Sequence, residues 1–205
     1  VSNPNNPCYL EITSIDKFPY YTLENYNANI SGDTPFTALV LVGTGIQRLY
    51  GGSNISLLSI FESMDTVTSI NDNCGAVTSF NDFGFYGCTA LAFVNFPSVK
   101  HIPNNPFRGA NAVSIALFPN AVTAGTAAFG GTKLIDISLP FLTSAGDGSF
   151  EGMDTLKTAY LPKLTSIPNS CFSGCTSLTT LNISSATDIG QQAFNGCILP
   201  TIIAP

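Results

Sequence analysis

Phenylalanines at fixed intervals constrain this chain more than any other feature. Phe85, Phe107, Phe129, Phe150, Phe172 and Phe194 stand 22, 22, 21, 22 and 22 residues apart. Two residues after each comes a glycine: Gly87, Gly109, Gly131, Gly152, Gly174 and Gly196. The next position holds Cys88, Ala110, Thr132, Met153, Cys175 and Cys197. Six copies of one phrase at a single period describe a chain assembled from stacked units.

Each unit continues with L-x-x-L-x-L-P, as in Leu91, Val94, Phe96 and Pro97, or Leu156, Ala159, Leu161 and Pro162. In the fifth unit Ser184 replaces the proline. The last four residues of L-x-x-L-x-L alternate apolar with variable, the period of a strand with one buried face. A proline directly afterwards removes a ladder donor and ends the strand. The spacing predicts short parallel strands at 92–96, 114–118, 135–139, 157–161, 179–183 and 200–204. A further apolar pair follows, such as Val99 and Ile102 or Leu164 and Ile167. A unit of this size cannot bury its apolar side alone, so neighbours must stack. The expected fold is a repeat solenoid with one short parallel strand per turn. Loops or short helical turns form its return side; Pro168-Asn169-Ser170-Cys171-Phe172 reads as a polar cap opening such a turn. The repeated phenylalanine fills the wall opposite the strand.

These residues resemble the leucine-rich repeat superfamily, and within it the BspA-like type, whose phrase is A-F-x-G-C-x-x-L-x-x-V-x-L-P-x-V-x-x-I. The likeness covers residues 85–205 as six regular leucine-rich repeats. It implies a secreted or surface-attached protein that adheres to host, matrix or neighbouring cells, and no catalysis. The long asparagine ladder usual in other leucine-rich repeats is missing from the phrase.

Upstream the period decays. Phe61-Glu-Ser-Met-Asp-Thr-Val67 nearly repeats Phe150-Glu-Gly-Met-Asp-Thr-Leu156, which makes 61–84 a lengthened seventh unit. Ile46, Leu49 and Leu57 suggest a blurred eighth, so residues 36–84 read as degenerate repeats. Residues 1–35 lack the repeat and are rich in Asn, Pro and Tyr. A solenoid end needs covering, and this segment reads as an N-terminal cap or a docking arm.

Charge narrows the partners. Asp, Glu, Lys and Arg make up 10% of the 205 residues and the net charge is -6. Polyanions repel such a surface, so neither nucleic acid nor an anionic membrane is an expected partner. The longest apolar run, around Ala38 to Val42, is far too short to span a bilayer. The chain begins at Val1 without a charged-then-apolar leader, as a processed or excised product would. Six cysteines and the sequons at Asn29, Asn54 and Asn182 point to an extracellular or cell-surface setting.

Catalytic patterns are missing. His101 is the single histidine, and no G-x-S-x-G, phosphate-binding loop or H-E-x-x-H string accompanies it. No cofactor and no metal is expected: the Cys171 and Cys175 spacing lacks two further ligands. Asp147-Gly148-Ser149 and Asn71-Asp72-Asn73 are oxygen-rich turns with a backbone reason of their own. Cys88, Cys175 and Cys197 alternate with Ala and Met, as small buried apolar groups do, and are expected reduced. A Cys8–Cys74 bridge would pin the N-terminal segment to the first turns.

What remains is a surface. The outward strand positions form two columns, Phe93, Ile115, Asp136, Thr158, Thr180 and Asn95, Leu117, Ser138, Tyr160, Asn182. Phe93, Ile115 and Leu117 are large and apolar where the repeat does not demand it, and Tyr160 follows two turns on. The candidate partner-binding residues are Phe93, Asn95, Ile115, Leu117, Asp136, Tyr160 and Asn182. The expected partner is a protein or glycan ligand, or a second copy through self-association. Two functions stand side by side: a surface or secreted adhesion module, and a structural subunit of a fibre, capsid or virion-type assembly.

Overall fold

A computed structural model describes residues 9–14, 27–28, 30–31, 38–43, 46–50, 55–57, 61, 63–198 and 201–203. The repeats wind into a parallel β-solenoid. In each turn the inward residues of L-x-x-L-x-L are buried, so the strand is held by apolar packing on one face. Its edges are held by the turns above and below. The strands are β8 (Phe93–Asn95), β10 (Ile115–Leu117), β12 (Asp136–Ser138), β14 (Thr158–Tyr160), β16 (Thr180–Asn182) and β18 (Thr201–Ile203). Each lies within the segment its pattern predicts, one residue shorter at both ends. Parallel pairing aligns equivalent residues of successive turns: Ile115 with Phe93, Thr158 with Asp136, Asn182 with Tyr160.

A second short strand follows the proline turn, where the sequence predicts only an apolar pair. These are β9 (His101–Ile102), β11 (Thr123–Ala124), β13 (Ser144–Ala145), β15 (Ser166–Ile167) and β17 (Asp188–Ile189). Two-residue strands leave no period to read. The expected short helical turns do not form among the described residues. The return side is a chain of tight turns instead, in which Cys88 N–H reaches Phe85 C=O and Tyr86 N–H reaches Phe83 C=O. Helix cannot propagate because each turn contains two residues of positive φ. One is the glycine of F-x-G, such as Gly87 (φ 69°) or Gly174 (φ 76°). The other is Phe83, Asn105, Ala127, Gly148, Ser170 or Gln192.

The core is an aromatic stack. Rings of Phe85 and Phe107 lie 5.4 Å apart, Phe107 and Phe129 6.0 Å, Phe129 and Phe150 5.6 Å, and Phe150 and Phe172 5.1 Å. Phe61 extends the stack upstream at 5.7 Å from Phe85. All are buried except Phe194, which is partly exposed because the outermost described turn covers it from one side only. The column thiols have a shared partner: Cys88, Cys175 and Cys197 donate to the carbonyls of Phe61, Phe150 and Phe172 in the preceding turn, at 2.7, 3.0 and 3.0 Å. Burial pushes the Cys88 and Cys175 thiols up to about 12. Cys171, also fully buried, is pushed up by the same desolvation. Cys197 corrects the expectation of uniform burial: like Phe194 it is half-buried.

A polar ladder, unforeseen in the sequence, runs along the exposed return side. The Asp82 carboxylate accepts from the Asn104 N–H at 2.8 Å and from its side-chain amide at 3.1 Å. Asn104 Oδ1 in turn accepts the Thr126 N–H at 2.9 Å. The series resumes with Asp147 accepting from Asn169 N–H at 3.1 Å, and Asn169 Oδ1 from Gln191 N–H at 2.8 Å. Asn169 therefore bridges turns rather than capping its own. Close stacking accompanies the ladder, since a Cβ on Gly146 would sit 2.5 Å from Thr126 N.

Near the start of the chain the parallel order gives way. Strand β6 (Val67–Asp72) continues the first-strand sheet, with Ser69 beside Phe93. Against it lies β1 (Tyr9–Ser14), antiparallel, followed by β4 (Ile46–Tyr50) and β3 (Ala38–Gly43). Ile46 and Leu49 thus belong to an antiparallel hairpin and not to a stacked turn. In the second-strand layer, β7 (Val77–Phe80) pairs with β5 (Ile55–Leu57), and β5 with β2 (Ile30–Ser31). Asp72 is fully buried at the turn out of β6 and accepts the N–H groups of Gly75, Ala76 and Val77 at 3.0, 3.0 and 2.8 Å. Burial nevertheless raises its carboxyl above the ordinary range. Cys8 lies outside the described residues, and with it the Cys8–Cys74 bridge.

Candidate partner-binding face

Two units lose one residue before the strand, the third and the sixth, where Phe194 precedes Leu199 by five; the first-strand pairing breaks at the third alone among the described residues, β18 staying bonded to β16. Phe129 precedes Leu134 by five residues, where Phe85 precedes Leu91 by six, so β12 enters one residue early. The first-strand sheet splits there among the described residues. One sheet ends at β10 and the next begins at β12. The second-strand layer splits one turn later, with β13 paired back to β11 and β15 paired on to β17. Lys133 N–H still reaches the Val113 carbonyl at 2.7 Å across the first break. A depression of about 290 Å³ opens at that seam, lined by Asn95, Leu117, Phe118, Pro119, Ser138 and Pro140.

The candidate residues occupy this face unequally. Ile115 and Leu117 are 49% and 45% exposed on adjacent outward positions beside the seam, and Tyr160 is 47% exposed further along. Ile115 neighbours Phe93, and Leu117 neighbours Asn95. Phe93 is half-buried. Asn95 is half-buried too, and its amide donates to Asn71 Oδ1 at 2.8 Å, which holds it flat against the sheet. Asp136 accepts the Thr158 hydroxyl in the next turn. Asn182, beside Tyr160 in register, accepts the Ser184 N–H at 3.3 Å. Ile115, Leu117 and Tyr160 are thus exposed, Phe93 is half-covered, and the polar members are braced by the sheet.

One apolar member was overlooked in sequence. Ile135 is 49% exposed and stands one residue before β12, where other units place Ala92, Ser114, Lys157 and Thr179. Counting outward positions over the whole of L-x-x-L, and not just its alternating half, would have found it. His101 is exposed and its Nδ1 lies 2.9 Å from the Thr123 hydroxyl, a strand-to-strand contact. Among the described residues no three His, Cys, Asp or Glu side chains gather into a metal-holding group. No helix among them is long and apolar enough to cross a membrane.

Comparison with known proteins agrees with this architecture. The chain is similar to a leucine-rich repeat protein of T. pallidum, at 22% identity with a TM-score of 0.63, over 71% of this chain and 72% of the other. A leucine-rich repeat protein from Bacteroides ovatus gives 23% identity and a TM-score of 0.62, over 78% of this chain and 48% of the other. No curated protein matches. The model of the BspA type leucine rich repeat region matches six copies across residues 78–200. With more than half its length matched and the described turns stacked as the repeat requires, the chain belongs to the BspA type leucine-rich repeat family, a family of protein-interaction scaffolds.

Proposed function

We propose that this chain is the non-enzymatic binding module of an exported, surface-acting protein, and that it grips a protein partner through the strand face centred on Leu117. The observation that carries the reading is the exposed apolar group Ile115, Leu117 and Ile135 on the turns that flank a seam where the sheet surface dips, with Tyr160 exposed one turn beyond. Contiguous apolar surface of this kind marks contact sites. Aromatic and aliphatic anchors at a pocket carry most of the energy of such interfaces. Phe93, Asn95, Asp136 and Asn182 form its braced surround. The first segment, residues 1–35, serves as a cap in this reading. Its strand β1 runs antiparallel between β4 and β6, ending the parallel run. Export is supported by the three sequons and the surface habit of the repeat type.

A photoreactive side chain at Leu117, introduced into the native full-length protein on living cells, should capture a protein adduct. The same probe at Thr89, exposed on the return side, should not. Equal capture from both positions overturns the assignment. Leu117→Glu with Tyr160→Ser should abolish the adduct at a neighbouring probe while the thermal transition stays in place.

A further inference from the structure

A second concave surface lies away from the strand face. A groove of about 610 Å³ runs between the proline turns and the second strands. Lys100 and Lys163 both line it, and no carboxylate does among the described residues. In a chain of net charge -6 with seven basic residues, this is a local reversal of sign. Both lysines are exposed. They stand three turns apart, on the order of 14 Å along the solenoid axis at the usual strand spacing. Ser98 stands beside Lys100, and between the lysines lie Asn120, Thr143 and the exposed ring of Phe141. The Asn120 amide donates to the Pro97 carbonyl at 2.9 Å and the Thr143 hydroxyl to the Val122 carbonyl at 3.2 Å, which leaves their oxygens to accept from a ligand's hydroxyls. The Lys163 ammonium lies 4.7 Å from the centre of that ring, which leaves the cation ordered over an aromatic face.

The backbone along the walls is already used. The Lys100 carbonyl accepts from Val122 and Thr123 N–H at 2.7 and 3.1 Å, and the Val122 carbonyl from Thr143 N–H at 2.9 Å. An extended peptide therefore has no free strand edge to add to. Whatever binds must be read by side chains: two cations three turns apart, a few small polar groups and one aromatic ring. That inventory complements an elongated chain of hydroxylated rings whose anionic groups are spaced to reach both lysines.

We propose that this groove binds an acidic oligosaccharide, with Lys100 and Lys163 pairing its anionic groups and Ser98, Asn120 and Thr143 its hydroxyls. The test is titration calorimetry of the whole chain with a heparin-derived hexasaccharide, with uncharged maltohexaose and hexaglutamate alongside. Saturable binding of the sulfated sugar is expected, with Lys100→Gln plus Lys163→Gln raising Kd at least about tenfold. Arg108→Gln plus Lys157→Gln, which removes the same charge elsewhere, should change Kd less than about twofold. All four residues are exposed, so unaltered melting curves verify that the variants fold. Three results overturn the proposal: no saturable binding, equal weakening by both pairs of substitutions, or hexaglutamate binding more tightly at the same lysines. The last would make the groove a site for acidic peptides. Failure of the strand-face reading leaves this test unaffected, because no residue is shared.

Discussion

The rings of Phe172 and Phe194 lie 5.6 Å apart with their planes 2° from parallel, yet only Phe172 is fully buried. Identical residues in identical registers thus have different surroundings. Phe172 is covered by a turn on each side and Phe194 by one. Phe172→Ala should cost about 3–5 kcal/mol, the range for emptying a fully packed phenylalanine site. Phe194→Ala should cost clearly less, since part of the vacated volume is open to solvent. Urea unfolding of both variants measures the difference, and equal losses would mean that burial does not set the cost.

Alkaline pH should weaken the fold through its thiols. Cys88 and Cys175 are pushed from 9.0 up to about 12 by burial. Between these values the unfolded thiol has lost its proton while the folded one keeps it. Stability is therefore intact below pH 9 and falls as pH rises above it, by about 1.4 kcal/mol per pH unit for each thiol. Cys88→Ala with Cys175→Ala should flatten the pH dependence over this window, followed by chemical denaturation in a borate-to-carbonate series. An unchanged slope would place the alkaline lability elsewhere.

Thr126 interrupts the return-side ladder. The side chains of Asp82 and Asn104 each reach the backbone of the next turn, and Thr126 has no equivalent bond to Asp147. Thr126→Asn supplies the missing acceptor and should stabilise by about 0.5–1.5 kcal/mol. Asn104→Ala should lose at least that much. Both shifts can be read from thermal midpoints, and destabilisation by Thr126→Asn would show that the gap is tolerated for another reason.

Gly146 is required by proximity and not by its own backbone angles. A Cβ there meets Thr126 N at 2.5 Å and the Gly125 carbonyl carbon at 2.7 Å. Both are backbone atoms within a ladder and cannot swing aside. Gly146→Ala should cost about 1–3 kcal/mol, the usual penalty of overpacking. Hydrogen exchange at Gly146 N–H, which bonds to the Ala124 carbonyl at 2.8 Å, would report the separation of the two turns.

The parts legible in sequence were those where one residue answers to one inward column. Leu91, Val94 and Phe96 had to point inward, which set the strands to within a residue of their observed ends. Leu117 and Tyr160 were legible as outward by the same alternation. The second strands were not, because Thr123–Ala124 carries no pattern beyond an apolar residue near a turn. Nor was the ladder. Asp82, Asn104, Asp147 and Asn169 share one column, three residues before each repeated phenylalanine, but the column carries no apolar pattern and Thr126 and Gln191 interrupt its Asp and Asn. Only stacking brings each side chain opposite the next backbone amide. The groove at Lys100 and Lys163 escaped for the same reason, since its walls come from different turns.

The 21-residue unit joins the solenoid in a way that bears on its mechanics. Its first strand, β12, is bonded forward to β14, while its second, β13, is bonded back to β11. The two breaks in the sheets therefore fall on different turns, and no single plane across the rod passes through both. Carpenters call such an arrangement a lap joint. Bending that would open one face is resisted by unbroken pairing on the other, and the Phe129–Phe150 stack runs through the middle at 5.6 Å. The indented surface at Leu117 therefore overlies a break that the second-strand layer spans, β13 being bonded to β11 behind it.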